Sequence, residues 1–308
     1  MFDIISLIIG NSLMFATPLM FTALGGVISE KSGVVNIGLE GMMTIGAFAA
    51  AGVTATTNNP WLGFIIAGLA GALLSLLHAI ACVSFKADQT ISGVALNFIG
   101  SGMALFLCRK FFYGATTTPS LMKKIPKLLA PEQIGNSRFL LNLNIDVTVL
   151  VALMLAVAMW FLFYKTKIGL RIIAVGEHPA AADTLGVNVY KIRYMAVILS
   201  GVLAGFGGAS KSIAISNGFS PVVISGLGFM ALAAVIFGKW TPQGAVGACL
   251  LFGFTQSLAI VVNGQKVQVP SQIMNMLPYV ITVLVLMLFV GKSVSPSASG
   301  VVYEKGTR

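Results

Sequence analysis

The sequence predicts an all-α fold, a polytopic transmembrane bundle of about eight to ten spans. Of the 308 residues, 57% are hydrophobic and only 9% are charged, and mean hydropathy is +0.94. Soluble domains carry roughly 25% charged residues, so this chain has too little polar surface to cover a soluble globule. A third observation separates helices from a barrel. The apolar runs are about 17–22 residues long without two-residue alternation, and a helix satisfies its own backbone groups in hydrocarbon.

Taken in order, the apolar runs place spans near 4–24, 41–57, 61–85, 91–112, 147–164, 194–214, 222–238, 243–262 and 273–291. The first, within MFDIISLIIGNSLMFATPLMF, lacks a basic leader and a small-residue cleavage pattern, so it reads as a retained span. Pro18 and Pro278 fall inside spans and predict kinks, whereas Pro60, Pro221 and Pro242 stand at or before span starts, where a missing N–H costs nothing. Residues 25–40 are too glycine-rich and too charged to cross alone, which predicts a short re-entrant piece lined by protein. Gly201, Gly205, Gly207 and Gly208 form a small-residue stripe for close helix packing.

Two polar segments interrupt the spans. Residues 113–146 carry Lys123, Lys124, Lys127 and Arg138 among Pro119, Pro126 and Pro131, which predicts a partly extended surface loop. Residues 165–193 contain a compact helix outside the bilayer: Pro179 suits the first helical position, Ala180–Leu185 is a strong short helix, and Gly186 ends it with a positive φ. One span separates the segments, so they face opposite sides. Basic residues divide almost evenly between them, and charge alone leaves orientation open.

Several function classes are excluded. The net charge of +10 is scattered over loops with no aromatic-interleaved basic stripe, so nucleic acid is not a partner. Cys82, Cys108 and Cys249 lie singly in apolar segments, giving neither a disulfide framework nor metal spacing. No paired-carboxylate, H-E-x-x-H or G-x-S-x-G arrangement is present. Gly291-Lys292-Ser293 echoes a phosphate-binding loop, but Leu286 replaces the leading glycine, so this chain does not hydrolyse ATP itself.

The run GLRIIAVGEHPAAADTLGVNVYKIRYMAVILSGVLAGFGGA resembles the cytoplasmic coupling loop and following span of ATP-binding-cassette importer permeases. These serve branched-chain amino acids, simple sugars and nucleosides. The runs LGGVISEKSGVVNIGLEGMM and LAAVIFGKWTPQGAVGACLLFG extend the resemblance, the first pointing to the nucleoside and simple-sugar branch. An alanine stands where the usual Glu-Ala-Ala pattern has glutamate.

The resemblance implies one permease domain over 1–308, in a bacterial cytoplasmic membrane, with an inner coupling loop at 165–193 and an outer loop at 113–146. Its implied partners are a cytosolic ABC ATPase, a second and non-identical permease subunit, and an extracytoplasmic substrate-binding protein. The permease needs no cofactor, ATP being bound by the ATPase. Coupling falls to Glu177, Pro179, Ala180, Ala181, Ala182, Asp183 and Gly186: the alanines with Leu185 form a small face, and Glu177 and Asp183 offer charges. A solvated loop helix without a partner is the plain alternative.

Asn36, Glu40 and Asn97 are candidates for the substrate path. Asn36 and Glu40, four apart, share a face if the segment is helical, but Glu40 equally suits a cap on the span starting near Gly41. Asn97 either contacts a polar solute or makes an interhelical hydrogen bond. His78, alone on an apolar helix, reads as a packing histidine, and Asp88 and Gln89 as interface residues. An ion-gradient-driven transporter would need a coupling carboxylate deep in the bundle, for which only Glu40 is available.

Overall fold

The computed structural model describes residues 2–129, 135, 137–264 and 294–305, with positions 276, 280 and 284 between. Its helices are α1 (Phe2–Lys31), α2 (Leu39–Thr57), α3 (Pro60–Ala79), α4 (Gln89–Phe111), α5 (Arg138–Leu143), α6 (Val147–Lys165), α7 (Lys167–Glu177), α8 (Pro179–Thr184), α9 (Val189–Ala209), α10 (Leu227–Phe237) and α11 (Pro242–Gly264). Single π turns, Ile80–Ser84 and Ser210–Ile215, prolong α3 and α9. No strand occurs among the described residues. Six helices there are long and apolar enough to cross a membrane: α1, α4, α6 and α11, and α3 and α9 with their π turns.

The helix ends follow local chemistry. Asn59 accepts the N–H groups of Trp61 and Leu62 with Pro60 at the first position of α3, and Asp88 accepts that of Ile91 to start α4. The helix α2 is buried along most of its length, as expected of one that is apolar all round.

Three expectations change. The first span runs on to Lys31, so the re-entrant piece shrinks to 32–38. Gly25 and Gly26 stay helical because neighbouring helices need their missing side chains: a Cβ would stand 2.7 Å from the Ser200 carbonyl oxygen and 2.8 Å from Val235 Cγ2. Glu30, 4% exposed, accepts the indole N–H of Trp240, which makes a buried carboxylate tolerable. The span expected at 222–238 is only the 11-residue α10, about 17 Å long and too short to cross. The span at 273–291, Pro278 and Gly291–Ser293 lie outside the described residues.

The arrangement is an inverted repeat. The first unit is α1, the irregular run 32–38, α2 and the Asn59-capped α3; the second is α9 with its π turn, the irregular run 216–226, α10 and the Thr241-capped α11. Val35, Gly38, Leu39 and Met42 enter α2 with the same spacing as Val223, Gly226, Leu227 and Met230 entering α10. Packing repeats too, since α3 lies mainly on α9 and α11 on α1. The long helices α1 and α9 run antiparallel, Gly25 meeting Ser200 while Gly207 meets Pro18 and Thr22. Consequently α2 and α10 start inside the bundle, N-terminus to N-terminus, and leave in opposite directions. Irregular backbone at that depth requires protein to line it.

The glycine stripe of α9 does this packing. Gly201 and Gly205 receive the backbone of α3, whereas Gly208 sits against Met43 and Ala47 of α2. The phenyl rings of Phe64 and Phe206 stack 4.5 Å apart beside them.

Candidate functional site

Two places gather the polar chemistry. The first is the meeting point of α2 and α10. Asn36 is fully buried; its amide donates to Ser200 Oγ at 3.0 Å and its carbonyl oxygen accepts the Gly38 N–H at 3.2 Å, turning the chain into α2. Asn97 on α4 accepts the Gly41 N–H at 2.8 Å and donates to the Ile37 carbonyl at 3.0 Å. It therefore satisfies an orphan donor of the first turn of α2 from another helix.

Glu40 does not cap its own helix. Its two carboxylate oxygens accept the N–H groups of Gly226 and Gly228, each at 2.6 Å, so it caps α10 across the repeat. Space for it comes from Gly228, where a Cβ would lie 2.5 Å from Glu40 Cα.

The rest of the 32–38 run is held by side chains. His78, fully buried, donates from Nε2 to the Val35 carbonyl at 3.0 Å and accepts from the Ser92 hydroxyl at Nδ1, 2.9 Å away. Because a carbonyl only accepts, this pairing fixes the tautomer. Gln89 accepts the Val35 N–H at 2.7 Å, so it braces the chain's own backbone. Cys82, one turn past His78, places its sulfur 3.5 Å from Nδ1, a titratable neighbour absent from the reading of His78 as isolated.

The second place is the 165–193 loop. Thr166 caps α7 by accepting the Gly169 N–H at 3.1 Å. In α8, Pro179 holds the first turn, and the chain leaves through Gly186 at φ +81°. The Gly186 N–H donates to the Asp183 carbonyl at 2.9 Å and the Val187 N–H to the Ala182 carbonyl at 3.0 Å, a complete paired C-cap. Ala180, Ala181 and Leu185 are exposed, Leu185 at 84%. Ala182 is turned inward against Val175, Val189 and Tyr303, so the three alanines do not share one outward face.

The two carboxylates of this loop are engaged within the chain. Glu177 accepts from the Ser297 hydroxyl at 2.8 Å and its N–H at 3.2 Å. Partial burial pushes the Glu177 carboxyl up, but the Ser297 bonds and the positive charge of Lys31 outweigh it and hold the group below its usual range. Asp183 is hydrogen-bonded by the Tyr303 hydroxyl. Both contacts belong to a strap, 294–305, which the sequence reading missed. The Ala298 N–H donates to the Gly176 carbonyl, the Gly300 N–H to the Gly33 carbonyl, and Arg193 Nη1 to the Val301 carbonyl at 3.0 Å. The strap thus ties α7, α8 and α9 to the end of α1.

Among the described residues, no cluster of three or more His, Cys, Asp or Glu side chains is placed to hold a metal ion.

Comparison with known proteins agrees with this architecture. The profile of the branched-chain amino acid transport system / permease component family matches residues 8–289. The guanosine ABC transporter permease protein NupQ of Bacillus subtilis is 47% identical, with 99% of each chain covered. The nucleoside ABC transporter permease protein NupC of Lactococcus lactis is 43% identical over 98% of each. The putative glucose ABC transporter permease protein TsgC13 of Haloferax volcanii is 36% identical over 88% of each. With its inverted helical repeat and a family match that spans nearly the whole length, this chain belongs to the permease-component family of branched-chain amino acid transport systems.

Proposed function

We propose that this chain is the pore-forming subunit of an ATP-driven importer that carries nucleosides, with simple sugars the next candidate. The observation that carries the reading is α8: a short helix fixed at both ends, with Ala180, Ala181 and Leu185 left bare. A helix that transmits motion by seating in another protein's groove needs a rigid, small surface, and it needs no chemistry of its own. A cytosolic ATPase grips α8 at Pro179, Ala180 and Ala181, with Ala182, Glu177, Asp183 and Gly186 positioning the helix. A second, non-identical permease subunit completes the pore, and a substrate-binding protein delivers solute near the 113–146 loop of a single permease domain. The solute class comes from the 47% identity to a guanosine permease.

Within this reading Asn36, Glu40 and Asn97 shape the path by holding the junction of α2 and α10, and they do not coordinate solute. Ion-gradient coupling is the competing mechanism. It would draw on Glu30 and Glu40, but both carboxylates already accept bonds from neutral protein donors. Uptake of guanosine and of ribose decides between them: sensitivity to an ATPase poison with persistence under an uncoupler supports the importer, and the reverse pattern overturns it.

A further inference from the structure

A cavity of about 470 Å³ opens at the end of α9 opposite α8, away from the junction of α2 and α10 and from the 165–193 loop. Its walls are the segment after α4 and the irregular descent 216–226. Thr118 fastens one wall to the other: its N–H donates to the Phe219 carbonyl at 3.1 Å and its hydroxyl accepts the Phe219 N–H at 2.9 Å. Gly218, at φ +139°, permits this approach, since a Cβ would stand 2.7 Å from Thr118 Oγ1. The walls are therefore built to a fixed spacing.

Thr117, Lys211, Ser216, Asn217 and Ser220 line the space. Among the described residues, the side chains of Thr117, Ser216, Asn217 and Ser220 have no hydrogen-bond partner; all four are half-buried or exposed, so water solvates them until a ligand replaces it. The Lys211 ammonium lies 5.6 Å over the Phe15 ring and, among the described residues, forms no ion pair with a carboxylate. Convergent polar groups beside Phe219, Val222 and Val223, around a few hundred Å³, are features that small-ligand sites share. The lining offers hydroxyl and amide donors and acceptors with one cation already partly met by a ring face. That set suits a neutral solute rich in hydroxyl and carbonyl groups better than an anion, which calls for several converging N–H donors.

The floor of the cavity is the run that ends at Gly226, whose N–H is held by Glu40. An occupant thus rests on the segment that enters α10. We propose that this cavity is the entry site at which a polyhydroxylated neutral solute first binds the permease. The proposal rests on the transport reading above and adds the residues that recognise the solute: Lys211, Ser216, Asn217 and Ser220.

The test uses the complete transporter in proteoliposomes, with guanosine and ribose as probes. Lys211→Met should raise KM at least tenfold, with Lys211→Arg closer to wild type. The exposed-side pair Asn217→Ala with Ser220→Ala should raise it several-fold, which keeps the test decisive if Lys211→Met fails to assemble. Co-purification of the ATPase should not change. Wild-type KM in both the lysine variant and the pair would overturn the proposal. So would weaker docking of the binding protein with KM unchanged at saturating binding protein, because the surface would then recognise that protein and not the solute. Uptake by the wild type that ignores an ATPase poison would instead remove the transport reading itself.

Discussion

Glu40 and Gly228 occupy matched positions in the two halves of the repeat, and the carboxylate of the first accepts the backbone N–H of the second at 2.6 Å. Equivalent residues touch only where a two-fold relation passes between them, so this bond marks the centre of the fold. Two helix N-termini converge there, and the positive ends of both helix dipoles favour a carboxylate. One side chain serves a helix that starts almost two hundred positions later in sequence.

Removing that carboxylate should loosen the junction. Glu40→Ala leaves the N–H groups of Gly226 and Gly228 without their charged acceptor, at a cost of about 2–4 kcal/mol. Glu40→Gln keeps one acceptor oxygen and should fall between the alanine variant and wild type. Thermal unfolding of the purified protein measures the order, and an alanine variant as stable as wild type would mean that the bond holds nothing.

At the end of α8, Gly186 sits at φ +81° with open space around it. The constraint there is backbone conformation and not crowding. Gly186→Val should cost roughly 1–2 kcal/mol and displace the cap, abolishing uptake while membrane insertion persists. Gly186→Asn should retain most uptake because asparagine visits this region readily. Equal uptake in the two variants would argue against a conformational role.

The strap predicts that the C-terminus matters for transport. Deleting 294–308 frees Glu177 and Asp183 and removes the acceptor of Arg193 Nη1, which is 2% exposed. Insertion should survive and uptake should drop at least tenfold. Tyr303→Phe loses only the hydroxyl bond to Asp183, worth about 1 kcal/mol, and should give a milder defect. Transport assays on the pair check the ranking.

Asp146, at the N-terminal end of α6, gives a pH dependence with a definite sign. Burial pushes its carboxyl up from 3.8 to about 6, against the pull of Lys127 and Lys124. The folded protein then holds this proton more tightly than the unfolded chain does. Its stabilising contribution is complete below about pH 4 and is lost as pH rises through about 6. Asp146→Asn removes that loss, so the variant should gain stability on wild type between these limits. Melting curves across the range test it, and a difference constant with pH would contradict it.

What the sequence revealed divides by distance along the chain. Pro179 and Gly186 announced the ends of α8 because caps are local signals. The prolongation of α1 past Leu24 was hidden, since Gly25, Gly26 and Glu30 look like helix breakers until Ser200, Val235 and Trp240 supply their tertiary reasons. Glu40 was recognised as a capping residue, yet its partner helix was out of reach of any local rule. The matched spacing of Val35, Gly38, Leu39 and Met42 with Val223, Gly226, Leu227 and Met230 was present in the sequence, and comparing the chain with itself would have exposed the repeat. The strap and the Lys211 cavity carry no periodic signal. They arise from single contacts between segments that only folding brings together.

Whether an ATPase grips α8 is tested most directly at Ala181, an exposed position on that helix. In Ala181→Cys, with Cys82, Cys108 and Cys249 all buried, a membrane-impermeant maleimide should label the new thiol from the cytosolic side only, and bound ATPase should block the labelling. Labelling from the exterior, or labelling unaffected by the ATPase, would contradict the account.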